Sequence, residues 1–220
     1  MTILKKRFYS VAVLFSLCFL LFEFSYHREI VKLPERRSTI IVTNKIIGTT
    51  SAQTEVVLEE IVYDPLLNAA VTEIPLPDNP KYHGQKTYEY YTAITSKRSK
   101  QYQLQQYAVT DEKGFRRIDD RYLVAVGTYF QAPTGTYIDI VLENGTVIPC
   151  IVGDIKANKD TDANNVYSKC GCASEFMVDK TFVALTGCKG DVSNVMENWN
   201  SKVIQINVYH LNYLENIKSN

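Results

Sequence analysis

The chain is short of the residues on which many familiar active sites are built: its 220 residues include three histidines and one tryptophan. His27 and His83 fall early in the chain, leaving His210, so a catalytic Cys-His pair has little to draw on. A surplus of one charge is also missing. Lys and Arg total 24, and Asp and Glu total 24, which removes nucleic acid as a main partner, because phosphate binding needs a basic excess or a basic face. No phosphate-binding P-loop, dinucleotide fingerprint, HExxH or GxSxG occurs, so nucleotide, nicotinamide and serine-hydrolase chemistry lack support and no cofactor is expected. Internal repeats and low-complexity tracts are absent as well. The length suits one ordinary domain with accessories.

What is there begins at the N-terminus. Lys5, Lys6 and Arg7 precede an apolar run from Phe8 to Phe22, followed by Glu23 and a polar flank. The run is short against the roughly 20 residues of a typical spanning helix, but extension to Phe24 or Tyr26 places aromatics where an interfacial belt wants them. The stretch "FEFSYHRE" lacks the small-x-small pattern of a signal peptidase site. An uncleaved membrane anchor over residues 1–28 is therefore expected, with a cleaved signal peptide as the rival. The positive-inside rule then places the remainder outside a cell membrane, as a single-pass protein. Cys18 precedes bulky Phe19, which makes it an apolar filler and not an acylation site.

Residues 29–95 read as an extracytoplasmic linker or stalk. Short apolar patches mix with Pro, Thr and Gly without a sustained period, a brief apolar stripe suggests a short helix near Ala52–Val62, and Pro75, Pro77 and Pro80 suggest an extended hinge.

Residues 96–220 behave differently. "RYLVAVGTYF", "GTYIDIVL", "ENGTVIPCIVGD", "SEFMVD", "TFVALTG" and "KVIQINVYHL" are apolar runs of strand length separated by turn signals. Asn144-Gly145 suits a two-residue type I′ hairpin turn. Ile204, Ile206 and Val208 alternate with Gln205 and Asn207, the mark of a half-buried strand. The fold class is mainly β, a small six-stranded closed or nearly closed barrel behind the anchor and linker.

The order "YLVAVGTYFQAPTGTYIDIVLENGTVIPCIVGDIKA" followed by "SEFMVD", Tyr122 to Asp179, resembles the double-psi β-barrel of the three-aspartate (3D) domain family, related to the barrels of membrane-bound lytic transglycosylase A, rare lipoprotein A and expansins. The resemblance implies a protein of the cell envelope that binds or cleaves peptidoglycan. The resemblance also implies a Gram-positive bacterial cell membrane. The family's second aspartate falls on Asp154 and its third near Glu175, while the first falls on Gly127, where "AVG" stands in place of "AVD".

Cleaving a glycosidic bond needs a carboxylic acid to protonate the leaving oxygen, and a lytic enzyme then uses the substrate's own hydroxyl as nucleophile. Asp154, at the end of a buried-looking strand, is the candidate acid, or else it caps the following turn. Glu175 and Asp179 share one face of "EFMVD" and either support Asp154 or stand as ordinary exposed charges. Lys156, in the Ile-Lys-small step, and Tyr129 are the candidate substrate-binding residues, though aromatics at strand positions are more often core. Asp160, Asp162 and Asn164 resemble the start of a calcium loop, but an EF-hand's Gly and Glu are replaced by Asn165 and Gly171, so a solvated loop is the plainer reading and no metal is expected.

Four cysteines follow the anchor: Cys150, Cys170, Cys172 and Cys188. An even number in an exterior domain suggests disulfides joining Cys150 and Cys188 separately to Cys170 and Cys172, with free thiols or a four-thiolate zinc site as alternatives. "CGC" lacks the usual spacing of zinc ligands. Two function classes remain: an envelope module that binds peptidoglycan or an envelope protein, and a glycan-cleaving enzyme.

Overall fold

Val, Ile, Leu and Tyr dominate the runs between Arg121 and Ile155, and they form strands because branched and aromatic side chains suit a pleated, buried surface. The computed structural model describes residues 66–82 and 84–219, all within one of the two units into which the chain divides, Lys32–Asn220. The anchor expected over 1–28 and the short helix expected near Ala52–Val62 lie outside the described residues. No helix among the described residues is long and apolar enough to cross a membrane.

The described residues are mainly β. Nine strands occur in the order β1 (Val71–Pro75), β2 (Thr87–Tyr90), β3 (Val109–Thr110), β4 (Arg116–Ile118), β5 (Arg121–Val126), β6 (Thr136–Leu142), β7 (Val147–Ile155), β8 (Ser174–Val178) and β9 (Val203–Asn212). Three short helices accompany them, α1 (Lys100–Gln105), α2 (Phe182–Thr186) and α3 (Tyr213–Ser219).

The main path through the sheet is β1-β9-β6-β7-β5-β4-β3. It forks at β5, whose first residues pair with β4 while Val124–Val126 pair with β8, and β2 then pairs with β8. The path is open, and the sheet holds nine strands where six in a closed or nearly closed barrel were expected. Two of the extra strands come from the expected stalk: β1 lies antiparallel to β9 and β2 parallel to β8, so the folded part begins well before residue 96. Pro75 is tolerated because it ends an edge strand, where a missing N–H costs little.

Every residue of β5 is buried, as expected for a strand covered on both faces. On one face Tyr122, Val124 and Val126 join Phe115, Phe176, Phe182 and Trp199. Trp199 meets Phe176 at 4.8 Å and Tyr122 at 5.3 Å between ring centroids. On the other face Leu123, Ile151, Met177 and Leu104 form a second cluster.

One buried ion pair ties β5 to its neighbours. Arg121 Nη1 donates to Asp139 Oδ1 at 3.1 Å and to the carbonyls of Ile138 and Cys150, and the Tyr209 hydroxyl donates to Asp139 Oδ2 at 2.6 Å. Both charges are almost fully buried, so these bonds replace the water each group gives up.

Two local expectations change. The β6–β7 connection is a three-residue loop: Gly145 N–H donates to Leu142 O, Leu142 N–H donates to Thr146 O, and only Gly145 has positive φ, at 84°. This is a type I turn closed by a glycine bulge, which does not require positive φ at Asn144 as a type I′ turn would. "TFVALTG" is helix α2, not a strand. Its entry is set by Asp179, whose carbonyl accepts from Phe182 N–H and whose carboxylate holds Thr181, and its exit by Gly187 at φ 67°.

Candidate functional site

Glycine at position 153 allows the strand irregularity that builds the site. β5 and β7 run parallel with Val124 opposite Val152, but Ala125 lies opposite Asp154, so Gly153 is the extra residue of a bulge. A Cβ at Gly153 would overlap Met177 Sδ. The slip sets Asp154 beside Ala125 on one side, while β8 sets Glu175 beside Ala125 on the other. Two acids thus flank one small residue. Because paired residues share a face and alternate residues along a strand return to it, Lys156 and Glu89 fall on that face too, Glu89 by way of its pairing with Met177.

The face carries three carboxylates and one ammonium. Lys156 Nζ pairs with Glu175 Oε1, and both side chains are largely buried. Asp154 Oδ1 accepts from Gln101 Nε2 at 3.2 Å and from the Ile155 N–H at 2.8 Å. Gln101 comes from α1, whose N-terminus is capped by Ser99 through the Tyr102 N–H at 3.1 Å. Leu104 and Gln105, on the same helix, pack into the apolar cluster behind the acids, Gln105 against Met177 Sδ.

Glu89 differs from the other two acids. Its Oε1 is buried and has no hydrogen-bond partner among the described residues. Burial first, then the negative charges of Asp154 and Glu175, with Lys156 opposing them, together raise its pKa from 4.5 to about 7. A carboxyl in that range holds its proton near neutrality and can still release it, which is the property of a general acid. Ser174 Oγ, one residue before Glu175, is likewise buried without a partner.

The structure brings Asp154, Glu175 and Lys156 together. It does not bring Asp179 to them: the Asp179 carboxylate accepts from the Thr181 N–H and hydroxyl, each at 3.0 Å, and these bonds hold its pKa down. Tyr129 sits on the 3-10 turn Thr128–Phe130, its ring edge-on to Phe130 at 5.4 Å. Lys156, expected to meet substrate, is engaged by Glu175. Glu89 was missed because it stands inside the expected linker. The one available signal was the alternation in "TYEY", a short β-prone run after the last proline.

Glycine at position 127 has a steric explanation. A side chain at Gly127 would overlap the carbonyl oxygen of Asn165, in the acidic loop that crosses this strand end. In that loop Asp162 serves the local shape: its Oδ1 accepts from the Val166 and Tyr167 N–H groups at 2.8 and 3.1 Å. Among the described residues, no group of three or more His, Cys, Asp or Glu side chains is placed to hold a metal ion.

All four described cysteines are free thiols. Cys150 begins the buried part of β7 opposite Tyr122, whereas Cys172 lies close to Lys156 and Glu175. At about 3.3 Å per strand residue, the six steps from Cys150 to Lys156 amount to about 20 Å, which explains why Cys150 is not bonded to the Cys170/Cys172 pair.

The chain matches no protein-family model, no curated protein and no solved structure.

Proposed function

We propose that this chain is a cell-envelope protein whose β domain acts on peptidoglycan glycan, with Glu89 as the proton donor. The observation that carries the reading is the partnerless, partly buried Glu89 carboxyl, with a pKa raised to about 7, on one face with Asp154 and Glu175. Glu89 gives its proton to the glycosidic oxygen as the bond to the anomeric carbon breaks. A hydroxyl of the same sugar then closes on that carbon, and its proton passes to a carboxylate of the site, leaving an anhydro-sugar end. Asp154 favours the positive charge that develops at the anomeric carbon.

The strand order also supports the likeness to a double-psi barrel. The run β9-β6-β7-β5-β8-β2 has six strands and two parallel pairs, β5 with β7 and β2 with β8. Glu89 is a third acid on the face of Asp154 and Glu175, contributed by β2 at the level of Met177 and not at the position of Gly127. Membrane attachment through residues 1–28, with the β domain outside the cell, remains part of the proposal.

A second reading is a non-catalytic module that binds glycan or an envelope protein. It is favoured by how fully Asp154, Glu175 and Asp179 are already engaged within the fold. Incubating the full chain with purified peptidoglycan separates the two. Release of anhydro-sugar fragments by the wild type, lost in Glu89→Gln, supports the enzyme. Retention on peptidoglycan without release, unchanged in Glu89→Gln, supports the binding module.

A further inference from the structure

The hairpin Ser168–Cys172 gives its two cysteines different exposure. Ser168 O accepts from the Gly171 N–H at 2.8 Å and Ser168 N–H donates to Cys172 O at 2.9 Å, with Gly171 at φ 82°. Only glycine adopts that dihedral at low cost, and a Cβ there would also crowd the Lys81 carbonyl. At the tip, Cys170 is exposed; two residues on, Cys172 is buried. The Ser168 hydroxyl lies 2.9 Å from Cys170 Sγ and accepts from the Cys172 N–H at 3.2 Å, so one side chain organises both cysteines. The remaining two thiols among the described residues, Cys150 and Cys188, are buried elsewhere in the core.

We propose that Cys170 and Cys172 form a thiol–disulfide exchange site for small or protein-borne disulfides, with Cys170 the attacking thiol and Cys172 the resolving one. The proposal is independent of the glycan reading. An exposed thiol can reach an external disulfide and a buried one cannot, so the two have distinct roles. Cys170, as thiolate, attacks one sulfur of the external disulfide, forms a mixed disulfide and expels one thiolate. Cys172 then gives up its proton to that thiolate and attacks Cys170 Sγ, expelling the second. The external disulfide is reduced to two thiols, and the pair is oxidised to one disulfide. Burial and the neighbouring Cys170 push the Cys172 thiol up to about 12, so in the resting pair it stays protonated while the exposed thiol reacts.

The two cysteines are separated by one residue, so their disulfide closes a small, strained ring. Strain raises the reduction potential, so the bond forms against an excess of external disulfide and is readily opened again, an exchanging bond more than a structural staple. The Cys170 and Cys172 side chains already lie within hydrogen-bonding reach of each other, which keeps the ring within reach.

The test is to treat the reduced, folded full chain with oxidised glutathione and map its thiols by mass spectrometry. The wild type is expected to form the Cys170–Cys172 bond and retain no glutathione. Cys172→Ser is expected to retain one glutathione, on Cys170, and Cys170→Ser none. Because Cys172→Ser removes a buried group, wild-type alkylation gives a second reading: Cys170 is labelled first, and prior oxidation abolishes that labelling. Glutathione held stably on wild-type Cys170, a bond from Cys170 to Cys150 or Cys188, or a Cys170 inert to the reagent would each overturn the proposal.

Discussion

Gly127 runs directly beneath Asn165, so close that a Cβ on the glycine would overlap the Asn165 carbonyl oxygen. The same oxygen accepts from the Tyr129 N–H at 3.3 Å, which pins the acidic loop over the end of β5. Introducing an acid by Gly127→Asp is therefore expected to expel the loop. The cost is about 1–3 kcal/mol, the scale of overpacking a tight site, and Gly127→Ala should show much of it. Thermal melts of both variants check this; an unchanged Tm in Gly127→Asp would mean that the loop yields freely.

The Glu89 carboxyl links the site to stability. Its folded pKa of about 7 lies above the ordinary value of 4.5, so between those values the folded chain binds more protons than the unfolded one. Stability is then fully present below about pH 4.5 and is lost as pH rises toward 7. Allowing for partial solvent screening, the loss is on the order of 2 kcal/mol. Glu89→Gln is expected to flatten that slope and to match or exceed wild-type stability at pH 8, measured by denaturant unfolding across the range. A wild-type slope that persists in Glu89→Gln would place the titration elsewhere.

Much of the sheet was legible in the sequence because β5, β6, β7, β8 and β9 are continuous apolar or alternating runs, which is what burial on one or two faces demands. The strands β1 and β2 were not. Each is held by partners more than 80 positions away, Val71 by Tyr209 and Thr87 by Glu175, and prolines stand between them. Local propensity carries no trace of such pairing. The site followed the same division. Asp154 and Glu175 could be read from strand ends and resemblance, but Glu89 became visible only when β2 was laid beside β8. The bulge at Gly153, which brings Asp154 level with Glu175, is a matter of register that spacing alone does not reveal.

Lys156 is the counter-ion of the carboxylate face. Lys156→Met removes the positive charge that holds the Glu89 pKa down and leaves Glu175 partly buried without its partner. The expected cost is about 2–4 kcal/mol, near the scale for breaking a buried pair and reduced by the partial exposure of Glu175. Any peptidoglycan-cleaving activity should keep its proton donor to higher pH, so the alkaline limb of the profile moves up. The double variant Lys156→Met/Glu175→Gln should recover part of the stability and move the limb back. A limb that stays fixed in all three proteins would show that Lys156 does not act on Glu89.

The Arg121–Asp139 pair is a separate structural test. Asp139→Ala leaves the Arg121 guanidinium buried without a countercharge and the Tyr209 hydroxyl without its acceptor oxygen. A loss of about 3–5 kcal/mol is expected, read as a lower midpoint in urea. A loss below about 1 kcal/mol, the scale of a surface pair, would mean that water replaces the missing carboxylate.

Asp154→Asn decides what the central acid does. The amide keeps an oxygen for the Gln101 side chain and the Ile155 N–H, so the fold is expected to lose no more than about 1 kcal/mol, the scale of one weakened hydrogen bond. What changes is charge. Removing a negative neighbour lowers the Glu89 pKa, the opposite of removing Lys156, so under the proposed mechanism the proton donor is lost at lower pH and the alkaline limb of any glycan-cleaving profile moves down. If Asp154 also favours the developing positive charge at the anomeric carbon, the rate at the pH optimum falls by about 100-fold or more, as when a preorganised electrostatic partner is removed. A shifted limb with an unchanged plateau would confine Asp154 to tuning Glu89. A stable variant with neither change would remove Asp154 from the chemistry and leave Glu89 as the acid on which the proposal stands.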